Sequence, residues 1–337
     1  MNKEENRNFI RKTESLVKPK DVTAISFLGD FNKFLPKKTQ DKIMEKGSRK
    51  IPYMGFIIDP YCFFLSYRIE DTEAAQALLP DAYSLTEASV FRDENKYPMI
   101  IISAFSARTS AFIGTRLEFY IIARHKETGL LSWIISDYET DTNSHDPKNG
   151  FCGYTCDPAI FTTTPYGELL IDFKNGEKNK EFSLDLDLNS GSPEKLDESL
   201  WIEGNLSVDY GGDLEDDSSK NFSLIFDPAL MDEALRIPLE HINIKENSYF
   251  SNLIDYEKPV SAAVFPYSQH FIIKQDLKRQ ELMDGSGLSG QIAGFLSETG
   301  FKTMSGDAIK KPLYRGFLIS GLVNLGIIIF LLIRQFL

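Results

Sequence analysis

The chain has 337 residues, 42% hydrophobic and 12% aromatic, with a net charge of −12 and an isoelectric point near 5.0. That acidic balance argues against a general nucleic-acid binder, and three cysteines, an odd number at this length, do not make a disulfide framework. Twenty-five Phe and 14 Tyr favour strands around a well-filled interior.

The charge is uneven. Residues 1–50 hold 13 Lys plus Arg against 7 Asp plus Glu, a +6 arm that leaves −18 for the remainder. Such an arm suits an anionic membrane surface; a solvated, partly helical leader is the alternative, and both readings stand. The first twenty residues hold no apolar signal-peptide core. Thr39 to Lys46 predicts a short helix closed by Gly47. A body with its own core is expected over 51–284.

Within the body, 61–69 reads as a strand, and Asp71 caps a helix over 72–79 that Pro80 ends. Strands are predicted at 97–106, 115–124 and 130–138, the last two joined as a hairpin through the turn from His125 to Gly129, with His125 solvated. More strands are expected at 158–164, 167–174, 181–188, 200–210, 221–227, 258–265 and 270–274. Residues 182–188 alternate with period two, one face wet and one dry. Residues 211–217 read as an acidic turn. Many short antiparallel strands with few helices imply a mainly β (α+β) body, a curled sheet or barrel.

Residues 285–311 are a Gly-rich amphipathic connector, helical over 285–300 and suited to lie in a membrane interface. Residues 312–337 follow as an apolar tail. Between Gly316 and Ile333 no residue is charged. That stretch is about 27 Å as a helix, near the thickness of a thin bilayer. Lys310, Lys311 and Arg315 precede it and Arg334 follows. We therefore expect a single-pass C-terminal transmembrane anchor, inserted when synthesis is nearly complete, with membrane lipid as a partner and the body kept cytoplasmic by the basic flank. Gly316, Ser320 and Asn324, four apart, also suit pairing of two copies into a homo-oligomer.

The run FFLSYRIEDTEAAQALLPDAYSL (63–85) is a strand ending in Tyr67-Arg68, then an acidic cap, an Ala-rich helix and Leu-Leu-Pro. It resembles the opening of acetoacetate-decarboxylase-like proteins. The downstream order is also similar: a strand with Arg116-Leu117-Glu118, a hairpin, a Trp-bearing strand and a loop with Pro147-Lys148. The likeness covers roughly residues 50–275. It implies an antiparallel β-barrel with few helices and a site inside the barrel.

It further implies Schiff-base chemistry without a cofactor. An amine kept neutral by desolvation or a neighbouring cation condenses with a ketone, and the iminium accepts electrons as carboxylate leaves. On the matching positions Lys148 would be the amine, Arg68 and Arg116 would hold the substrate carboxylate, and Glu118 and His145 would carry protons. The family's lysine follows a Gly-Arg-Glu signature and stands beside a second lysine; here that signature is absent and Asn149 follows Lys148. Lys148 also fits a surface turn, Asp-Pro-Lys-Asn-Gly. His145, Cys152 and Cys156 match no standard zinc spacing, so no metal is expected.

Two functional readings follow. One is a membrane-tethered enzyme, a carboxy-lyase acting on a small keto acid or related carbonyl compound. The other is a non-catalytic barrel that binds an apolar or carboxylated ligand at the membrane.

Overall fold

The computed structural model describes residues 3–48, 53–156, 159–216, 221–274 and 306–336. The helix expected over 285–300 lies outside them.

The basic arm is helical: α1 (Lys3–Leu16), α2 (Pro19–Asn32) and α3 (Lys37–Ser48). Pro19 opens α2, where its missing N–H costs nothing. β1 (Tyr53–Ile58) and β2 (Cys62–Arg68) lead to α4 (Thr72–Ala77), whose start is capped as expected: Asp71 Oδ1 accepts the Ala74 N–H at 2.9 Å. β3 (Tyr83–Leu85) and β4 (Glu87–Ala88) precede three long strands, β5 (Tyr97–Thr109), β6 (Ile113–His125) and β7 (Leu131–Thr140). The β6–β7 turn closes where the sequence placed it. Gly129 supplies φ +69° and donates to the His125 carbonyl at 2.8 Å.

A small hairpin follows, β8 (Ser144–Asp146) with β9 (Gly150–Cys152). Next come β10 (Ile160–Thr163), β11 (Glu168–Asn175), β12 (Lys180–Asp187), β13 (Ser192–Lys195), β14 (Val208–Tyr210), β15 (Ser223–Ile225), β16 (Glu233–Arg236), β17 (Ile242–Asn247), β18 (Pro259–Phe265) and β19 (Gln269–Lys274). The chain's last described element is α5 (Gly306–Phe336).

The strands form antiparallel sheets with one exception. A 13-stranded sheet runs β13-β16-β18-β2-β5-β1-β19-β15, and β5 also carries the branch β6-β7-β14, in which β14 pairs parallel with β7. A smaller sheet runs β10-β11-β12-β17. Among the described residues the ladder is branched and does not close, so the expected barrel is not confirmed. Among the described residues the ladder's two arms, β14 and β15, approach through the isolated bridge Val208–Phe222.

Residues 200–210 are corrected. Ser199–Glu203 coils as a π-helical turn and only Val208–Tyr210 is strand. Packing overrides propensity there: Trp201 is buried, its indole N–H donates to the Val90 carbonyl at 2.8 Å, and Trp133 donates to the Leu200 carbonyl at 2.9 Å.

Strand alternation splits the interior in two. On β6, Leu117, Phe119 and Ile121 face a core shared with β11 and β12 of the smaller sheet. The opposite face of β6 belongs to a second core with Trp133, Trp201 and Phe271. A third, small cluster joins Ile25 of α2, Ile43 of α3 and Leu313 of α5. Gly316 permits that contact, because a Cβ there would stand 2.0 Å from Asn32 Oδ1 and 2.9 Å from Ile43. Asn32 Nδ2 donates to the Leu313 carbonyl at 3.1 Å and Lys310 Nζ to Asp21 at 2.8 Å. From Leu318 to Ile333 every residue of α5 is exposed except Ser320.

Phe119 is fully buried and stacks on Tyr249 with centroids 4.5 Å apart. Phe119→Ala should cost about 3–5 kcal/mol, read as a lower urea midpoint with unchanged m-value.

Candidate functional site

A cavity of about 920 Å³ is enclosed by β1, β5, β6, β7, β14, β15 and β19, with α3 along one side. Its walls are mostly aromatic and aliphatic, among them Phe56, Phe64, Phe105, Trp133 and Phe271. The chain's two tryptophans both line it.

One wall is charged. Because side chains on a strand alternate, Arg116, Glu118 and Tyr120 of β6 share a face and all point into the cavity. The Arg116 Nε–H donates to Glu118 Oε1 at 2.6 Å, and the Tyr120 hydroxyl donates to Glu118 Oε2. The Arg116 guanidinium also lies 4.5 Å from the Tyr138 ring and 5.5 Å from the Phe112 ring. Burial works against its charge, but Glu118 together with Tyr138 and Tyr210 outweighs burial, so its pKa is raised and Arg116 stays a firm cation. Burial, then Glu118, pushes the Tyr120 phenol well up. Tyr210 across the cavity is pushed up to about 12, chiefly by burial. These phenols remain protonated donors.

The mouth is built by α3 and the β8–β9 hairpin. Lys38, Asp41, Lys42 and Glu45 of α3, at i, i+3, i+4 and i+7, share the face that lines the cavity. Gln40 fastens the helix, its Oε1 accepting the Phe151 N–H at 2.5 Å, and Lys37 pairs with Asp216. His145 lines the mouth, half-buried, with Nε2 3.4 Å from Asp41 Oδ1 but no hydrogen bond between them. Burial lowers its pKa, more than Asp41 raises it.

Of the five residues singled out from the sequence, three meet at this cavity: Arg116 and Glu118 deep, His145 at the mouth. Lys148 and Arg68 do not. Lys148 is exposed in a turn whose Asp146 Oδ1 accepts its backbone N–H at 2.8 Å, and the cavity wall passes through Pro147 and His145 instead. Arg68 ends β2, exposed, with its guanidinium 5.0 Å from the Tyr97 ring. His125, expected in solvent, is buried. Its Nδ1 accepts the Glu127 and Thr128 N–H groups at 3.3 and 3.2 Å, and its ring meets Tyr83 edge-on at 5.0 Å.

Sequence reasoning missed Tyr120, Tyr138 and Tyr210. For Tyr120 the signal was present, two residues beyond Glu118 on the same strand.

No family model matches the chain, and no curated protein matches it. Among solved structures it is similar in fold to acetoacetate decarboxylase from Legionella pneumophila, with 14% identity, 65% of this chain and 84% of that one covered, and a TM-score of 0.41. It is also similar to the enduracididine biosynthesis enzyme MppR complexed with pyruvate, with 9% identity, 66% and 88% covered, and a TM-score of 0.39.

Two outcomes test this geometry. Glu118→Ala leaves Arg116 charged and unpaired in an apolar wall and should cost about 3–5 kcal/mol, with Glu118→Gln milder, both read from urea unfolding. His145 should give a pH signature. Its pKa is lowered on folding from about 6.5. As pH falls through that value the unfolded chain takes up the proton first, so stability drops with acidification. His145→Gln should flatten the fall in urea midpoint between about pH 7 and about pH 5 relative to the unaltered chain.

Proposed function

We propose that this chain is a membrane-tethered binding protein whose cavity takes one amphipathic molecule, an apolar body with a polar end. The observation that carries this reading is the lining itself: a large aromatic and aliphatic space with the Arg116–Glu118 pair deep on its wall and the charged face of α3 at its mouth. The polar end would meet Arg116, whose guanidinium N–H groups other than Nε offer donors to a carboxylate, hydroxyl or carbonyl oxygen in a dry setting.

Schiff-base catalysis is the less supported reading. It needs an amine inside the cavity, desolvated or beside a cation. Among the described lining residues only Lys38 and Lys42 carry amines, both exposed on α3 at the mouth, and Lys148 is exposed. The tether is α5, of which Lys310–Gln335 is long and apolar enough to cross a membrane. The basic flank Lys310, Lys311 and Arg315 supports a body on the cytoplasmic side.

Trp133 and Trp201 make the test direct. Titrating the detergent-solubilised chain with dansyl-undecanoate should quench tryptophan emission saturably, with matching rise of dansyl emission. Filling the cavity by Ser103→Phe should abolish both changes. Unchanged tryptophan emission at saturating probe would remove the binding reading. A borohydride-trapped adduct of acetoacetate or pyruvate on Lys148 would restore the catalytic one.

A further inference from the structure

We infer that α2 rests on the head-group layer of the bilayer, with Phe27, Phe31 and Phe34 inserted beside the base of α5. This rests on the reading of α5 as a membrane span.

The three phenylalanines recur at i, i+4 and i+7, one side of α2 and the turn after it. They are 57%, 37% and 82% exposed, whereas Val22, Ile25, Leu28 and Asn32 on the other side are buried. An apolar stripe of this kind facing water marks a surface that something covers.

Its neighbours identify the cover. The Phe31 ring meets Phe317 of α5 edge-on, with centroids 4.8 Å apart; Phe27 lies 5.1 Å from Phe31 and 6.4 Å from Phe317. Phe317 stands two residues beyond Arg315, the last charge before the apolar run, and directly before the exposed side chains of Leu318, Ile319 and Leu322. The stripe is therefore continuous with the exposed surface of α5 and starts at the level where that surface starts. Whatever solvates α5 meets these rings. In a bilayer that level is the interface, where aromatic side chains concentrate. Exposed Lys20, Lys311 and Arg315 border the same region and suit anionic head groups.

The test uses the full chain in vesicles of phosphatidylcholine and phosphatidylglycerol, with or without brominated acyl chains. Phe34→Trp probes the stripe and Leu325→Trp, in a separate protein, probes α5. Phe34 is mostly exposed, so its replacement leaves the packing intact, and the unaltered chain in the same vesicles gives the emission of Trp133 and Trp201 to subtract. We expect loss of the added emission of F34W with bromines near the head groups, and of L325W with bromines deep in the chains. Quenching of L325W alone overturns the inference and leaves α5 as a span. Quenching of neither removes the span, and the inference with it. Blue-shifted F34W emission that bromine leaves untouched, with a doubled mass on crosslinking, gives the stripe to a second copy of the chain and also overturns the inference.

Discussion

Inside an apolar chamber, the Glu118 carboxylate is the group on which the interior depends. One of its oxygens receives the Arg116 guanidinium and the other the Tyr120 hydroxyl. A lone guanidinium at this depth would lose several kcal/mol of hydration without compensation. With the carboxylate two residues along the same strand, both charges are answered within one side-chain layer. The aromatic rings of Phe112 and Tyr138 then close over the cation rather than being expelled by it. The space keeps a polar wall while the remaining lining stays apolar.

The reverse side of β6 shows why this strand can carry such a load. Leu117, Phe119 and Ile121 are fully buried against the smaller sheet, so β6 is gripped from behind. A second buried carboxylate, Glu139 on β7, secures that sheet. It accepts from Asn175 Nδ2 at 2.8 Å, from the Tyr249 hydroxyl at 3.1 Å and from Lys178 at 3.4 Å. Each partner comes from a segment around the smaller sheet, and the bonds replace the hydration that burial removed. Rigid backing of this kind holds the Arg116 layer in place.

Much of the strand order was legible because it depends on local alternation and turn residues. The β6–β7 hairpin and the Asp71 cap are of this kind, whereas Glu118, like Arg68, was carried over from the family pattern. The positions of Lys148 and Arg68 were not legible, because they were carried over from a family pattern and not from this chain's own periodicity. The turn that Asp146 builds holds Lys148 outside the wall. Nor could sequence assign α3 to the cavity. Lys38, Asp41, Lys42 and Glu45 read as a wet helix face, and only the fold places that face over the mouth. Residues 200–210 failed for a similar reason, since the burial of Trp201 depends on residues far along the chain.

α3 has two neighbours at once. One face borders the chamber, while Ile43, on the other side, reaches Leu313 and Gly316 at the foot of α5. A rigid helix wedged between two bodies works as a lever. Because α3 touches both, any shift of the foot of α5 against Ile43 bears on one wall of the chamber. The same twelve-residue helix thus carries contacts both to the chamber and to the foot of α5.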